Sequence, residues 1–186
     1  MSRDEIVFEA EEAMEKAVDF MNHEFHSIRT GKATPALVEN LDVHAYGTIM
    51  KLKALALITA PEPRLLVIQP FDGSTVRDIE RAINESRIGI NPMVDGKIIR
   101  IPIPELSEER RRDLAKTVNQ LAEEGRVRIR SIRRNGMDSA KKLEKSGELS
   151  EDSLRDTEAE IQKLTDRFVA DLDKHAAHKE AELMKI

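Results

Sequence analysis

The chain has 186 residues, a net charge of -5, 40% hydrophobic and only 3% aromatic residues, and no cysteine. The missing cysteines exclude disulfides, thiol nucleophiles and cysteine-ligated metal sites. The longest strictly apolar run, Ala54 to Ile58, is far shorter than the roughly 20 residues that span a bilayer, and the acidic start does not resemble a signal peptide. We therefore expect a globular, helix-rich cytoplasmic protein.

The first predicted element is a long amphipathic helix. From Ile6 to Arg29 the chain contains neither glycine nor proline, and apolar residues recur at helical spacing: Val7, Ala10, Met14, Ala17, Met21 and Ile28. The helix is predicted to stop at Thr30 and Gly31, with Pro35 shortly after. A domain boundary is expected there.

Residues 32–105 have a different sequence pattern, in which short stretches rich in β-branched residues are separated by glycine and proline. The stretches LDVHAYGT, ALALITA, RLLVIQPF and KIIRIPIP are typical of strands. Between them, Ser74 to Arg87 carries Val76, Ile79 and Ile83 at helical spacing. Residues 31–105 are therefore predicted to form a small α/β domain of short strands with one helix.

Two more long helices follow. One begins at Ser107 and keeps a single apolar stripe until Gly147, through Leu114, Val118, Leu121, Gly125, Ile129, Ile132, Gly136, Ala140 and Leu143. The other runs from Ser150 to near Met184, with an apolar stripe at Leu154, Ile161, Leu164, Phe168 and Leu172.

Three long helices with narrow apolar seams need one another as packing partners. The predicted fold class is therefore α+β, a three-helix bundle of residues 1–30 and 106–186 that is interrupted by the α/β domain. The chain must cross twice between the two domains, and we expect a hinge at these crossings, at Gly31, Pro35, Pro102, Pro104 and Glu105.

Signs of catalysis or cofactor binding are weak. The sequence has no glycine-rich phosphate loop, and its paired glutamates are adjacent in helices, so they diverge by about 100°. Two histidine pairs, His23 with His26 and His175 with His178, have metal-ligand spacing, but no third ligand is evident. We expect no catalytic residue, no metal and no cofactor.

The segment from Arg126 to Arg134 holds five arginines and no acid. On a helix, Arg126, Arg130 and Arg133 fall within an arc of about 60°, with Arg134 just beyond it. Such a row of guanidinium groups is suited to the phosphates of folded RNA. In the alternative interpretation these arginines pair with Glu123, Glu124, Asp138 or acids of neighbouring helices, which is the commoner situation for a charged helix face. The residues alone leave both interpretations open.

Several long segments resemble the ribosome recycling factor family. They are SIRTGKATPALVENLDVHAYGT (27–48), GKIIRIPIPELSEERRRDLAK (96–116), RVRIRSIRR and the ending KEAELMKI. The resemblance implies an L-shaped, non-enzymatic protein whose bundle binds large-subunit ribosomal RNA at the subunit interface of the post-termination ribosome. It also implies that elongation factor G, with GTP, acts on the α/β domain, so that the subunits dissociate and mRNA and tRNA are released.

The resemblance also implies roles for individual residues. Arg133 matches the essential arginine of the family, and Arg126 and Arg130 match arginines of the same face. Arg29 and Lys32 match basic residues at the domain junction, and Arg110 and Arg111 match the arginine pair in the signature of residues 96–116. Asn135 and Gly136 depart from the family pattern, and the glycine makes local flexibility beside Arg133 conceivable. We expect a monomer with no membrane or small-molecule partner. The alternative is a helical coiled-coil adaptor or chaperone-like protein.

Overall fold

The computed structural model describes residues 1–86 and 88–185. Arg87, the predicted end of the helix in the insert, and Ile186, the predicted end of the bundle domain, lie outside the described residues. The chain divides into two compact units, Met1–Phe25 with the chain from Asp113 onward, and His26–Arg112. These divisions lie inside helices, whereas the boundaries predicted from the sequence follow Thr30 and Glu105.

The described residues form five α-helices and six strands in a mixed order. The helices are α1 (Arg3–His26), α2 (Leu52–Leu55), α3 (Val76–Glu85), α4 (Glu108–Lys145) and α5 (Glu151–Met184). The strands are β1 (Asp42–Ala45), β2 (Thr48–Lys51), β3 (Ala56–Glu62), β4 (Leu65–Pro70), β5 (Met93–Asp95) and β6 (Ile98–Pro102). The predicted α+β class, with long helices and a small sheet domain, is confirmed.

Serine residues fix the starts of the three long helices. At α1, the Ser2 hydroxyl accepts from the Glu5 amide at 3.2 Å, while the Ser2 amide donates to the Glu5 carboxylate at 2.6 Å, which is a capping box. At α4 and α5, the hydroxyls of Ser107 and Ser150 accept from the amides three residues onward, each at 3.2 Å. These bonds satisfy amides that a helix start leaves free.

The unit containing α1, α4 and α5 is built on a core of aliphatic side chains. Its fully buried members include Met14, Ile129, Ile161 and Leu172, all at 0% exposure. On α4 the buried stripe also runs through Val118, Ala122, Gly125, Gly136 and Ala140. Four residues of the predicted α4 stripe are only partly buried: Leu114, Leu121, Ile132 and Leu143. The most buried line of α4 therefore passes closer to Ala122 and Ile129.

Gly125 and Gly136 lie within α4 where neighbouring helices approach it closely. A Cβ at Gly125 would lie 2.7 Å from Leu172 Cδ2 and 3.0 Å from Met21 Cγ, whereas at Gly136 its nearest neighbour would be Ile161 Cδ1 at 3.2 Å. Gly136 is buried and helical, so here glycine provides space for Ile161. Flexibility beside Arg133 stays a hypothesis from the sequence.

These distances predict different effects for two matched substitutions. Replacing a glycine inside a helix with alanine raises the free energy of unfolding by about 1 kcal/mol. Overpacking a core lowers it by about 1 to 3 kcal/mol. Gly125→Ala should lower the free energy of unfolding, since both neighbours are buried, while Gly136→Ala should leave it unchanged or raise it. Urea denaturation followed by circular dichroism measures both. Equal destabilisation by the two variants would contradict the close packing at Gly125.

The unit of residues 26–112 contains two antiparallel sheets. One is the pair β1–β2, and the other has four strands in the order β3-β4-β6-β5. α3 contacts β1 and β6, and its Ile79 and Ile83 are buried. They share a core with the inward side chains of the large sheet, Leu66, Ile68, Ile99 and Ile101, all at 0% exposure. The insert thus has its own hydrophobic core.

Candidate nucleic-acid interface

The arginine segment 126–134 is helical throughout, and Ile129 at its centre is fully buried. The burial of Ile129 fixes the orientation of α4 about its own axis, and this orientation determines which residues each arginine side chain can contact. Arg128 lies over the exposed Phe20 ring of α1, with its guanidinium carbon 4.9 Å from the ring centroid. The other four arginines of the segment lie on the flank that the sequence analysis identified.

Arg126 is held in ion pairs. Its Nε donates to Glu123 at 3.0 Å and its Nη1 donates to Asp173 of α5, and its side chain is 26% exposed. The hydrogen bond to Glu123 raises the pKa of Arg126 against the opposing effect of burial, and Asp173 raises it further. At this position the structure supports the ion-pair alternative, because two carboxylates already compensate the charge.

Arg133 has a different environment. Its Nη1 donates to the Gln162 side-chain oxygen of α5 at 3.1 Å, and the Gln162 amide in turn donates to Asp166 at 2.9 Å. Its Nε is buried and has no hydrogen-bond partner among the described residues. No carboxylate in residues 1–86 or 88–185 forms an ion pair with Arg133. The guanidinium is therefore oriented by a neutral amide while its charge stays uncompensated.

Arg130 and Arg134 extend this flank into solvent. Both are exposed, and among the residues that the structure describes Arg130 forms an ion pair with Glu123 alone, at 3.5 Å. Within the described part of the chain, Arg134 forms no hydrogen bond or ion pair, and the predicted alternative partners Glu124 and Asp138 form no ion pair with the arginines. Arg130, Arg133 and Arg134 together are therefore available to an anionic partner.

A second group of basic residues lies in the unit of residues 26–112. Arg29 donates from Nη2 to the Pro104 carbonyl at 2.6 Å; burial lowers the pKa of Arg29, and the nearby charge of Arg110 lowers it further. Lys32 is exposed, while Arg110 and Arg111 lie in the first turn of α4, where Arg111 is half-buried. The positive charge of Arg110 therefore lies close enough to Arg29 to oppose it.

The predicted hinge residues lie in segments that the β3–β4 turn ties together. The Ala33 amide donates to Pro63 at 2.7 Å and the Ile103 amide donates to Arg64 at 2.8 Å. The Arg64 side chain also pairs with Glu105. Gly31 has a φ of 82°, a conformation that favours glycine, and packs near Leu106. Pro35 starts a short 3-10 helix, Pro102 ends β6, and Pro104 accepts the Arg29 bond.

Sequence reasoning missed the residues of α5 that distinguish one arginine from another. Asp173 compensates Arg126, and Gln162 with Asp166 orients Arg133. Gln162 and Asp166 are one turn apart, a recognisable helical pair, but nothing in the sequence shows that they face α4. Their role depends on how α4 and α5 are aligned.

Groups suited to other chemistry are few among the described residues. No cluster of three or more histidine or acidic side chains there could hold a metal ion, and His178 lies 3.0 Å from Glu182. In the same residues, no helix is both long and apolar enough to cross a membrane. The most distinctive feature of the described residues is therefore the surface of α4 formed by Arg130, Arg133 and Arg134, which we call the arginine face.

The structure defines the class of protein, an α+β chain of three long helices whose first and second are separated by a small sheet domain. A model of the family "Ribosome recycling factor" matches residues 21–184. A ribosome-recycling factor of Akkermansia muciniphila is 57% identical over the full length of both chains, and one of Rubrobacter xylanophilus is 52% identical over 96% of each. The chain belongs to the ribosome recycling factor family, whose members are translation factors rather than enzymes.

Solved structures agree with this assignment. The solution structure of a ribosome recycling factor superimposes with a TM-score of 0.81 at 38% identity, covering 100% of this chain and 99% of that one. A second match is a T. thermophilus ribosome recycling factor, from models of that factor and E. coli elongation factor G bound to the E. coli post-termination complex. It has a TM-score of 0.70 at 45% identity and covers both chains completely.

Proposed function

We propose that this protein binds the post-termination ribosome and, with elongation factor G and GTP, promotes dissociation of the subunits and release of mRNA and tRNA. The observation that carries the proposal is the guanidinium of Arg133, which forms no ion pair with any described residue and is oriented by Gln162 beside the exposed Arg130 and Arg134. The T. thermophilus relative, placed with elongation factor G on a post-termination complex, supports both partners. Membership of the ribosome recycling factor family argues against the alternative hypothesis of a helical coiled-coil adaptor.

The partner of the arginine face in this proposal is large-subunit ribosomal RNA. Arginine binds phosphate through two parallel hydrogen bonds, and a row of such groups on one helix suits the regular backbone of folded RNA. Arg133 is the central contact, Arg130 and Arg134 flank it, and Arg126 contributes less because its charge is already paired. Arg29, Lys32, Arg110 and Arg111 form a second set of phosphate contacts.

The protein in this proposal is a cytoplasmic monomer without a cofactor, and it turns over no substrate itself. Hydrolysis of GTP belongs to elongation factor G. Because phosphate contacts release counterions, ribosome binding should weaken steeply as salt increases. A helix seam that buries aliphatic side chains would not respond to salt in this way.

A splitting assay with purified components tests the function. Post-termination ribosomes are mixed with the protein, elongation factor G and GTP, and subunit separation is followed by light scattering. The expected result is rapid separation only when all components are present. Each component alone is the control. Separation without this protein at the same rate, or no separation with it, would contradict the proposal.

We further propose that the two crossings, with Gly31, Pro35, Pro102, Pro104 and Glu105, form a hinge used during splitting. Because this chain has no native cysteine, one cysteine can be introduced in each unit and the pair joined by a reducible crosslinker. Crosslinking should preserve ribosome binding through the arginines but abolish splitting, and reduction should restore it. Full splitting by the verified crosslinked protein would contradict the hinge and favour a rigid wedge.

A further inference from the structure

Among the described residues, two arginines of the unit that contains α1, α4 and α5 lie over phenylalanine rings. Arg167 of α5 lies over the ring of its neighbour Phe168, with the guanidinium carbon 4.5 Å from the ring centroid. Arg128 of α4 lies over the ring of Phe20 of α1, with the corresponding distance at 4.9 Å. Both distances are within the range of a cation–π interaction, but the surroundings of the two pairs differ.

The pair of Arg167 and Phe168 is explained by the packing of its own unit. Phe168 is 6% exposed, so almost none of its ring is open to solvent. Arg167 also donates to the carboxylate of Glu11 on α1 at 2.7 Å, which compensates its charge. This arginine therefore covers a core residue and links α5 to α1.

The pair of Arg128 and Phe20 is open on both sides. Phe20 is 48% exposed even though Arg128 lies over its ring. Arg128 is itself exposed, and its nitrogen atoms form no ion pair or hydrogen bond with residues 1–86 or 88–185. Glu124 lies one helical turn before Arg128 but does not pair with it. The guanidinium is therefore supported by a ring and has no carboxylate to compensate it.

Arg128 lies on a different flank of α4 from the arginine face. Arg133 contacts Gln162 of α5, whereas Arg128 contacts α1. The two arginines are five positions apart, which corresponds to about 140° around the helix axis. An RNA segment whose phosphates bind the arginine face does not reach Arg128. A ligand of Arg128 must therefore be a separate segment.

The chemistry of the pair selects a nucleobase as this ligand. Unpaired bases of folded RNA stack on aromatic side chains and on guanidinium planes. Arg128 offers one face of its planar group to such a base, and its N–H groups can donate to the base's acceptor atoms. A phosphate has no use for the ring, and an apolar protein surface would bury the charge of Arg128 without a partner.

We propose that Arg128, supported by Phe20, is a stacking site for an unpaired base of ribosomal RNA. Arg128 makes the contact with the base, and Phe20 is a positioning residue. This inference rests on the proposed function, in which the arginine face binds ribosomal RNA through phosphates. It adds a base contact on a second flank of α4. Residues 126–134 contain no aromatic residue, so the packing of α1 against α4 creates the site.

The test measures the Kd of full-length variants for post-termination ribosomes. Arg128→Lys keeps the charge but removes the planar group, and should raise Kd about ten-fold, within the range for one stacked base. Phe20→Leu removes the supporting ring and should raise Kd by a smaller factor, about three-fold. Phe20→Tyr keeps the ring and should leave Kd unchanged. Arg167→Lys is the matched control, because Arg167 also lies over a phenylalanine, and should leave Kd unchanged.

Chemical probing of the ribosomal RNA reads the base contact directly. Dimethyl sulfate and carbodiimide are applied to ribosomes saturated with each variant. The original protein and Arg167→Lys should alter the reactivity of the same bases, and Arg128→Lys should fail to alter a subset of them. Melting temperatures should be equal for all variants, because Phe20, Arg128 and Arg167 are exposed.

Three results would overturn the stacking site. Equal Kd values for Arg128→Lys and the original protein would show that no planar group is needed, and an equal loss with Arg167→Lys would show a general effect of replacing arginine. A higher Kd for Arg128→Lys with an unchanged reactivity pattern would assign Arg128 to a ribosomal protein instead of a base. Failure of the original protein to bind ribosomes would refute the proposed function itself, which is distinguishable because it needs no variant.

Discussion

Replacing Arg133 with alanine should weaken ribosome binding by about 1.5 to 3 kcal/mol, the range for a lost hydrogen bond to a charged group. That corresponds to roughly a ten- to hundred-fold increase in Kd. Stability should barely change, because in the free protein Arg133 makes a single hydrogen bond to Gln162 and no ion pair among the described residues. Kd is measured with fluorescently labelled protein, and stability by thermal melting.

Two further variants separate the role of Arg133 from general charge effects. Arg155→Ala removes an equal charge from an exposed position paired with Glu151 on α5, and should leave Kd almost unchanged. Gln162→Ala keeps the charge of Arg133 but removes its orienting partner, so it should weaken binding by a smaller factor. Unchanged affinity of the Arg133 variant together with a lower melting temperature would support a purely structural role for this arginine.

Replacing Ile129 with alanine should have the largest effect on stability. Ile129 is fully buried in the core of the unit that contains α1, α4 and α5. Truncating a buried isoleucine to alanine lowers the free energy of unfolding by about 2 to 5 kcal/mol, because apolar burial is lost and a cavity remains. Urea denaturation followed by the helical circular-dichroism signal measures this loss. The shape of the curve also shows whether the two units unfold together.

Leu121→Ala is the matched comparison for Ile129→Ala. Leu121 was predicted from the sequence to lie in the same stripe, but it is only partly buried, so the loss should be clearly smaller. Similar losses for the two variants would mean that Leu121 contributes as much to the core as Ile129. A loss below about 0.5 kcal/mol for Ile129→Ala would contradict the burial on which the orientation of the arginines depends.

The sequence determined those features that depend on neighbours within a few residues. Apolar spacing gave the three long helices, and Ser107, Ser150 and Gly147 marked their ends, because caps and helix faces are set by residues three or four positions apart. β-branched stretches between glycines and prolines gave β1, β3, β4 and β6 of the insert. They did not give β5 or most of β2, and the short helix α2 was not predicted. The arginine row followed from the same helical geometry.

Only the tertiary structure decided what each of those residues does. Asp173 compensates Arg126 and Gln162 orients Arg133, although the partners are 47 and 29 positions apart in the chain. The packing of α1 against α4 likewise brought Phe20 beneath Arg128. Contacts of this range depend on the alignment of whole elements, which is set by the summed packing of many side chains rather than by any local pattern.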